Sequence, residues 1–338
     1  MSVTITPLFP LVAFPWELDT ITFTSPDAES VAVALELNGT VLYEETLFFG
    51  SDNRVDIEDV AGLIMDACDA GIGVLRLMMD GEYVSNMTSF IVPCHVVTDL
   101  PALRYVDESF MTLLSGAKQV PPDATERVAF YSAQGNEEAV ATLTFSSSSE
   151  GMYRVSASLG TFGQVQQMVG IPLSLVDLCR HAHAEDDRLL RVKVAVGKRE
   201  QEYVVNHSLR HRLCFRNAFH EDDVMYFSEL ECDVKPTRSS GMVNGKQRAF
   251  HVERNTTFKG VTAPLLDSEL AWAEDAAHSL HFTDADGREV AVVDNEFKHT
   301  TNAADMPRLR LSWKNTQDVY KLHRKVHTFD TTFDPTYL

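Results

Sequence analysis

Lysine and arginine are missing from the first 53 residues. Over the whole chain there are 29 of them against 49 Asp and Glu, a net charge of −20 at pH 7. With no basic segment ahead of the proline-broken apolar stretch Pro7–Trp16, a secretory leader is not expected. The protein is therefore expected in the cytoplasm of the cell that makes it. No run approaches the roughly 20 apolar residues of a membrane-spanning helix, so no membrane span is expected. The five cysteines (Cys68, Cys94, Cys179, Cys214 and Cys232) are odd in number and form no C-x-x-C, which argues against a disulfide framework or a zinc ribbon. Cys68 and Cys179 read as thiols filling core space. Signature motifs are missing too. There is no G-x-S-x-G, G-x-x-x-x-G-K-[ST], H-E-x-x-H or G-x-G-x-x-G. Glu44-Glu45 and Glu137-Glu138 read as surface charge rather than a glycosidase dyad. From these absences the chain is not expected to be an enzyme. No catalytic, cofactor-binding or metal-ligating residue is assigned, no cofactor is expected, and the ligand-binding residues are left unknown.

What is present is apolar patterning. Hydrophobic residues make up 44% of the chain and the mean hydropathy is −0.12, which suits a soluble protein with real cores divided over two or three units. Charge is uneven. Residues 1–180 hold 7 Lys and Arg against 24 Asp and Glu, a net −17, whereas residues 181–338 hold 22 against 25, a net −3. The acidic half repels nucleic acid and anionic membrane, so neither is expected as a partner. An acidic half beside a near-neutral one suits head-to-tail contact between copies.

Two segments rhyme. Leu173-Ser174-Leu175-Val176-Asp177-Leu178, Leu189–Val194 and Glu202–Asn206 match Val55-Asp56-Ile57-Glu58-Asp59-Val60, Val74–Met79 and Glu82–Asn86. Each reads as a capped helix followed by a β-hairpin. Ser174 and Asp56 are the expected N-caps, Asp177 and Asp59 the first-turn acids, and Leu173/Leu178 and Val55/Val60 the hydrophobic staples. Asp80-Gly81 predicts a type I′ turn in the first hairpin, and Gly197–Glu200 a longer turn in the second. A fainter third copy has Asp267 as cap, a helix through Trp272 to Leu280, and a hairpin turning at Asp286-Gly287.

The expected fold is mainly β (α+β): two or three tandem β-sandwich-like units, each with one capped helix followed by a hairpin. Their bounds are 1–100 with a helix at about 56–70, 101–208 with a helix at about 174–184, and 209–315 with a helix at about 267–280. Residues 316–338 are expected as an extended C-terminal arm, and residues 1–20 as an arm or first edge strand. Between strands at Val224–Val234 and Ala249–Phe258, residues 235–247 read as a flexible loop.

Four groups could carry chemistry. His181 and His183 with Glu185, Asp186 and Asp187 are the most metal-like, but histidines at a helix C-terminus complement its dipole without a metal. His207 and His211 lie four apart near Cys214, with no helix to bring them together. Asp284-Ala285-Asp286-Gly287 has a calcium-loop flavour, yet Arg288 and Glu289 stand where an oxygen ligand and glycine are required. Tyr153, Phe162, Trp272 and Trp313 could form a sugar platform, although aromatics in such segments are core residues more often.

Arg212–Phe219, the paired strands around Asp233–Arg238 and Phe250–Thr257, the helix with Trp272 near its start, Asp294-Asn295-Glu296 and Met306–Leu311 carry a resemblance. Over roughly the last 120 residues the chain resembles uncharacterised tail-region proteins encoded in Bacteroidales prophages. The upstream units match only in element order. At His220–Asp223 the chain departs from the apolar, proline-containing turn of that group. The resemblance implies a non-enzymatic virion structural protein, of the tail or baseplate, passing from the cytoplasm into the virion. Its implied partners are copies of itself or other virion tail proteins, met through β-edges and the arms at 1–20 and 316–338. The other reading kept open is a carbohydrate-binding or adhesin-like β-sandwich with a glycan ligand.

Overall fold

A strand with one apolar face becomes stable where a second layer covers that face. In the computed structural model, which describes residues 3–68, 72–149, 151–184, 186–243, 246–298 and 306–316, this happens twice in the same way. In the first unit Ile21–Thr24 pairs antiparallel with Arg54–Ile57 and with Thr4–Thr6. The facing sheet runs Val12–Ala13, Glu82–Ile91, Gly73–Met79, Ser30–Leu37, Thr40–Phe48. Val31, Val33, Leu35 and Leu37 alternate inward and meet Ile21, Phe23 and Ile57 from the smaller sheet. Helix α1 (Val60–Ala67) closes the end with Val60 and Ile64.

The chain then makes a helix the sequence did not announce, α2 (Ala102–Glu108), entered through Pro101 with no side-chain cap. In the second unit Thr125–Ser132 pairs antiparallel with Gln167–Ser174. The facing sheet runs Ala117–Val120, Arg199–Val205, Arg188–Val196, Glu137–Ser147, Gly151–Phe162. Helix α3 (Leu175–His181) again joins the small sheet to the large one. In both units a short strand near the start of the unit joins the large sheet in parallel: Val12–Ala13 on Glu82–Ile91, and Ala117–Val120 on Arg199–Val205. The rhyme in the sequence is thus a repeat of strand order and direction.

The third region departs from that plan. One seven-stranded sheet runs Asp222–Phe227, His211–Arg216, Phe282–Thr283, Glu289–Lys298, Arg308–Asn315, Lys246–Val261, Glu229–Val243. It curls as a half-barrel over α4 (Leu270–His278), whose Trp272, Ala273 and Ala276 pack on Leu213, Phe215, Leu309 and Leu311. A hairpin with Gly287 at positive φ does follow α4. The two-layer pairing of the earlier units is not reproduced, because strands on both sides of α4 join one sheet.

Several local expectations are corrected. Asp56 does not cap α1. It lies in a strand opposite Thr22 and pairs with Arg54, and Asp59 is the cap residue, in the left-handed region with no side-chain cap bond. Asp267 opens a 3-10 turn, Asp267–Glu269, and it is Glu269 that accepts the Leu266 N–H at 2.8 Å. The second hairpin turns in two residues, Gly197 and Lys198, with Gly197 at φ 59°. Of the two readings for the start of the chain, the edge strand holds, with Thr4–Thr6 outermost in its sheet, and residues 3–20 are no free arm: Val12, Ala13, Phe14 and Leu18 are buried in their own chain. The stretch read as a loop at 235–247 continues two strands of 15 and 16 residues, Glu229–Val243 and Lys246–Val261. The C-terminal arm lies outside the described residues apart from Thr316.

The three regions share a core. Phe14 of the first, Tyr105 of α2 and Phe219 of the third meet with ring centroids 5.1 to 6.0 Å apart, and Ala129 and Tyr131 of the second complete the cluster.

Candidate functional site

The metal-like cluster is a helix end. Ser174 Oγ accepts the Asp177 N–H at 3.2 Å, and Leu173 and Leu178 are buried beside it. One turn on, His181 Nδ1 is 2.7 Å from the Asp177 carbonyl, so its ring N–H donates into the helix C-terminus. His183 sits exposed at φ 50° in the following turn. Asp187 accepts the Tyr153 hydroxyl at 2.5 Å, Asp186 is exposed, and Glu185 lies outside the described residues. Among the described residues no three His, Cys, Asp or Glu side chains are grouped as metal ligands. His207 falls in a turn. His211 and Cys214 are three apart on one strand and so face opposite sides of it. Asp284 is used up in its own turn, accepting the Asp286 and Arg288 N–H groups at 2.9 and 3.0 Å and the Arg288 guanidinium at 2.8 Å.

The four aromatics do not form one platform. Tyr153 stacks on Phe145, Phe162 meets Phe130 edge-on, and Trp272 is 2% exposed against Phe215. Trp313 lies between Phe227 and Phe258, at 5.5 and 5.9 Å. It also lines a pocket of about 350 Å³ between the Pro121–Thr125 turn of the second unit and the half-barrel. Tyr226 and Phe258 line it with Trp313, beside the polar residues Arg210, Arg212 and Asp123.

Sequence reasoning missed the polar groups buried between the units, because their partners are distant or on other strands. Lys118 Nζ is 2.7 Å from Glu126 Oε2, with both side chains 1% exposed, and lies 4.8 Å from the Trp272 ring centre. Burial pushes the Glu126 carboxyl up despite the lysine, and pushes the Tyr203 and Tyr226 hydroxyls up as well. Arg199 donates to the Val106 and Tyr131 carbonyls and to Glu137 at 2.8, 2.9 and 2.6 Å. Glu269 accepts the Gln119 backbone N–H at 2.7 Å. Asn217 donates to Met111 O and Asp223 while accepting the Phe219 and Glu221 N–H groups. Glu269 with Gln119 and Asn217 with Met111 join the third region to the second, while the Lys118–Glu126 pair and the Arg199 contacts brace the second unit itself. The Cys94 thiol donates to Val96 O, and burial pushes it up to about 12, which disfavours the thiolate.

What the surface offers is strand edge. Thr40–Phe48 is the outer strand of its sheet, with Val41 50% and Phe48 73% exposed. Gly151–Phe162 is the outer strand of the second large sheet, with Met152 73% exposed. Glu229–Val243 is the outer strand of the half-barrel. Unpaired backbone groups along such edges are ready to accept another strand.

No family model and no curated protein matches this chain. Among solved structures it is similar to the crystal structure of calcium binding domain CBD12 of CALX1.1, at 13% identity and a TM-score of 0.18, over 58% of this chain and 79% of that one. A likeness at that level carries no argument about this chain. Among the described residues no helix is long and apolar enough to cross a membrane.

Proposed function

We propose that this chain is a non-enzymatic structural protein of a phage or prophage virion. It is a tail or baseplate component that assembles with copies of itself or with other tail proteins through its strand edges. The observation that carries the reading is the set of three long outer strands, Thr40–Phe48, Gly151–Phe162 and Glu229–Val243, each open to strand addition on a frame of two like sandwiches and a half-barrel. The shared aromatic cluster of Phe14, Tyr105 and Phe219 joins its three regions, and buried polar side chains tie the second to the third, as suits a rigid building block. Size-exclusion chromatography with light scattering, followed by negative-stain imaging of the peak, tests it. A closed oligomer or a concentration-dependent ring supports the reading, and a monomer at every concentration counts against self-assembly.

A second reading, a carbohydrate-binding or adhesin-like module, is favoured by the pocket lined by Tyr226, Phe258 and Trp313 beside Arg210, Arg212 and Asp123. Aromatic side chains with planar polar groups beside them suit a sugar. Glycan-array binding lost in Trp313→Ala but kept in Tyr153→Ala would favour it, and a blank array would remove it.

A further inference from the structure

The two long strands of the half-barrel form a ribbon that leaves its sheet. Arg308–Asn315 pairs with Lys246–Val261 only from Phe258 to Val261, which fixes the root. Beyond it, from Asp233 opposite Thr257 to Val243 opposite Lys246, the two strands pair with each other and with no third strand among the described residues. At the usual rise of a strand this free part is about 30 Å long. A two-stranded hairpin without a third strand or a covering layer is marginally stable in water, so a surface that covers it stabilises the whole element.

Its composition says what that surface is. Residues 234–257 hold five Lys and Arg (Lys235, Arg238, Lys246, Arg248 and Arg254) against one acid, Glu253, a net +4 in a chain of net −20. Residues 1–100 hold two Lys and Arg against sixteen Asp and Glu, a net −14. The outer strand of that acidic unit, Thr40–Phe48, carries Glu44 and Glu45 next to exposed Val41 and Phe48. Two copies of this edge laid against each other would bring like charges together, which costs energy. A cationic strand meets no such repulsion. The edge therefore rejects its own image and accepts the free part of the outer strand, residues 234–243, which carries Lys235 and Arg238 and no acid and has no further strand beside it among the described residues.

We propose that the ribbon of one copy docks on the Thr40–Phe48 edge of a second copy, extending its five-stranded sheet. The contact is head-to-tail, since the two surfaces differ, and repeats into a ring or a filament. The proposal rests on the self-assembly reading above and names the surfaces it uses.

Light scattering on the full chain at low and high salt tests it, with three variants: a reversed ribbon (Lys235→Glu, Arg238→Glu, Arg248→Glu), a reversed edge (Glu44→Lys, Glu45→Lys), and both together. Thermal melts by circular dichroism check that each folds. The expected result is a mass above the 37.7 kDa of one chain at low salt, falling as salt screens the contact. Either reversal alone gives single chains, and the combined variant returns to the parent mass. An oligomer indifferent to both reversals overturns this docking and leaves self-assembly standing. Reversals that dissociate without recovery in the combined variant also overturn it. A chain that stays at 37.7 kDa under all conditions overturns both the docking and the self-assembly reading.

Discussion

Lys118 and Glu126 form an ion pair at 2.7 Å that water does not reach, on neighbouring stretches of the second unit and under Trp272 of the third. Removing one partner leaves the other buried without compensation, which costs about 3–5 kcal/mol. Lys118→Met and Glu126→Leu should each lower the urea midpoint strongly. The double variant should recover much of the loss. Additive losses would mean that the two side chains act independently.

Burial pushes the Asp275 carboxyl up to about 6, although it accepts the Ala218 N–H at 3.0 Å. The folded state therefore keeps a proton that the unfolded chain has already released. Stability falls as pH rises from about 4 through about 6, by at most about 3 kcal/mol, and stays lost above that. Asp275→Asn keeps an acceptor for Ala218 and removes the charge. It should raise the urea midpoint at neutral pH and leave it unchanged in acid. An equal effect at both would show that packing, not ionisation, is responsible.

His95 and His220 stack with ring centres 4.4 Å apart and share a hydrogen bond between their Nε2 atoms. One nitrogen must donate and the other accept, so two imidazolium rings cannot keep the bond. Burial holds His95 below the usual histidine range. The unfolded chain thus takes up a proton first as pH falls below about 6.5, and the stability present above that value is lost on the way down. His95→Gln should show a smaller drop in midpoint between about pH 7.5 and about pH 5.5 than the parent chain. An identical drop would place the titrating group elsewhere.

Ser174→Ala should cost about 1 kcal/mol, since its hydroxyl is the cap of α3. Asp56→Ala should shift the midpoint less, because Asp56 caps nothing. Equal shifts would restore Asp56 as a cap.

Gly260 sits at the root of the ribbon, where an added Cβ would lie 2.7 Å from the Phe227 ring and 2.9 Å from Trp313. Gly260→Ala should cost about 1–3 kcal/mol by overpacking. A neutral change would mean that the sheet bends there freely.

The parts of the fold legible in the sequence are those fixed within a few residues. The Ser174–Asp177 cap and the Asp80-Gly81 turn, whose two residues are both at positive φ, are of this kind. Asp56 carries the same local signal as Ser174, but its pairing with Thr22 places it in a strand. Helix α2 has neither cap nor long period, and it forms because Ala102, Tyr105 and Val106 fill the seam between units. The ribbon was hidden by Pro236, Ser239, Ser240 and Gly241, which read as breakers. With no third strand beside most of its length among the described residues, no sheet neighbour requires apolar alternation there. The pocket under Trp313 joins residues about 190 positions apart, from Pro121 to Trp313, a distance across which neither spacing nor period carries information.

The central claim, membership of a virion, is tested most directly on particles. Particles released from a culture that produces this chain can be purified by density and digested for mass spectrometry beside the soluble cell fraction. The account predicts peptides of the chain in the particles at a fixed ratio to the other tail proteins, with an antibody to it marking the tail or baseplate in negative stain. Peptides confined to the soluble fraction, with unmarked particles, would contradict it.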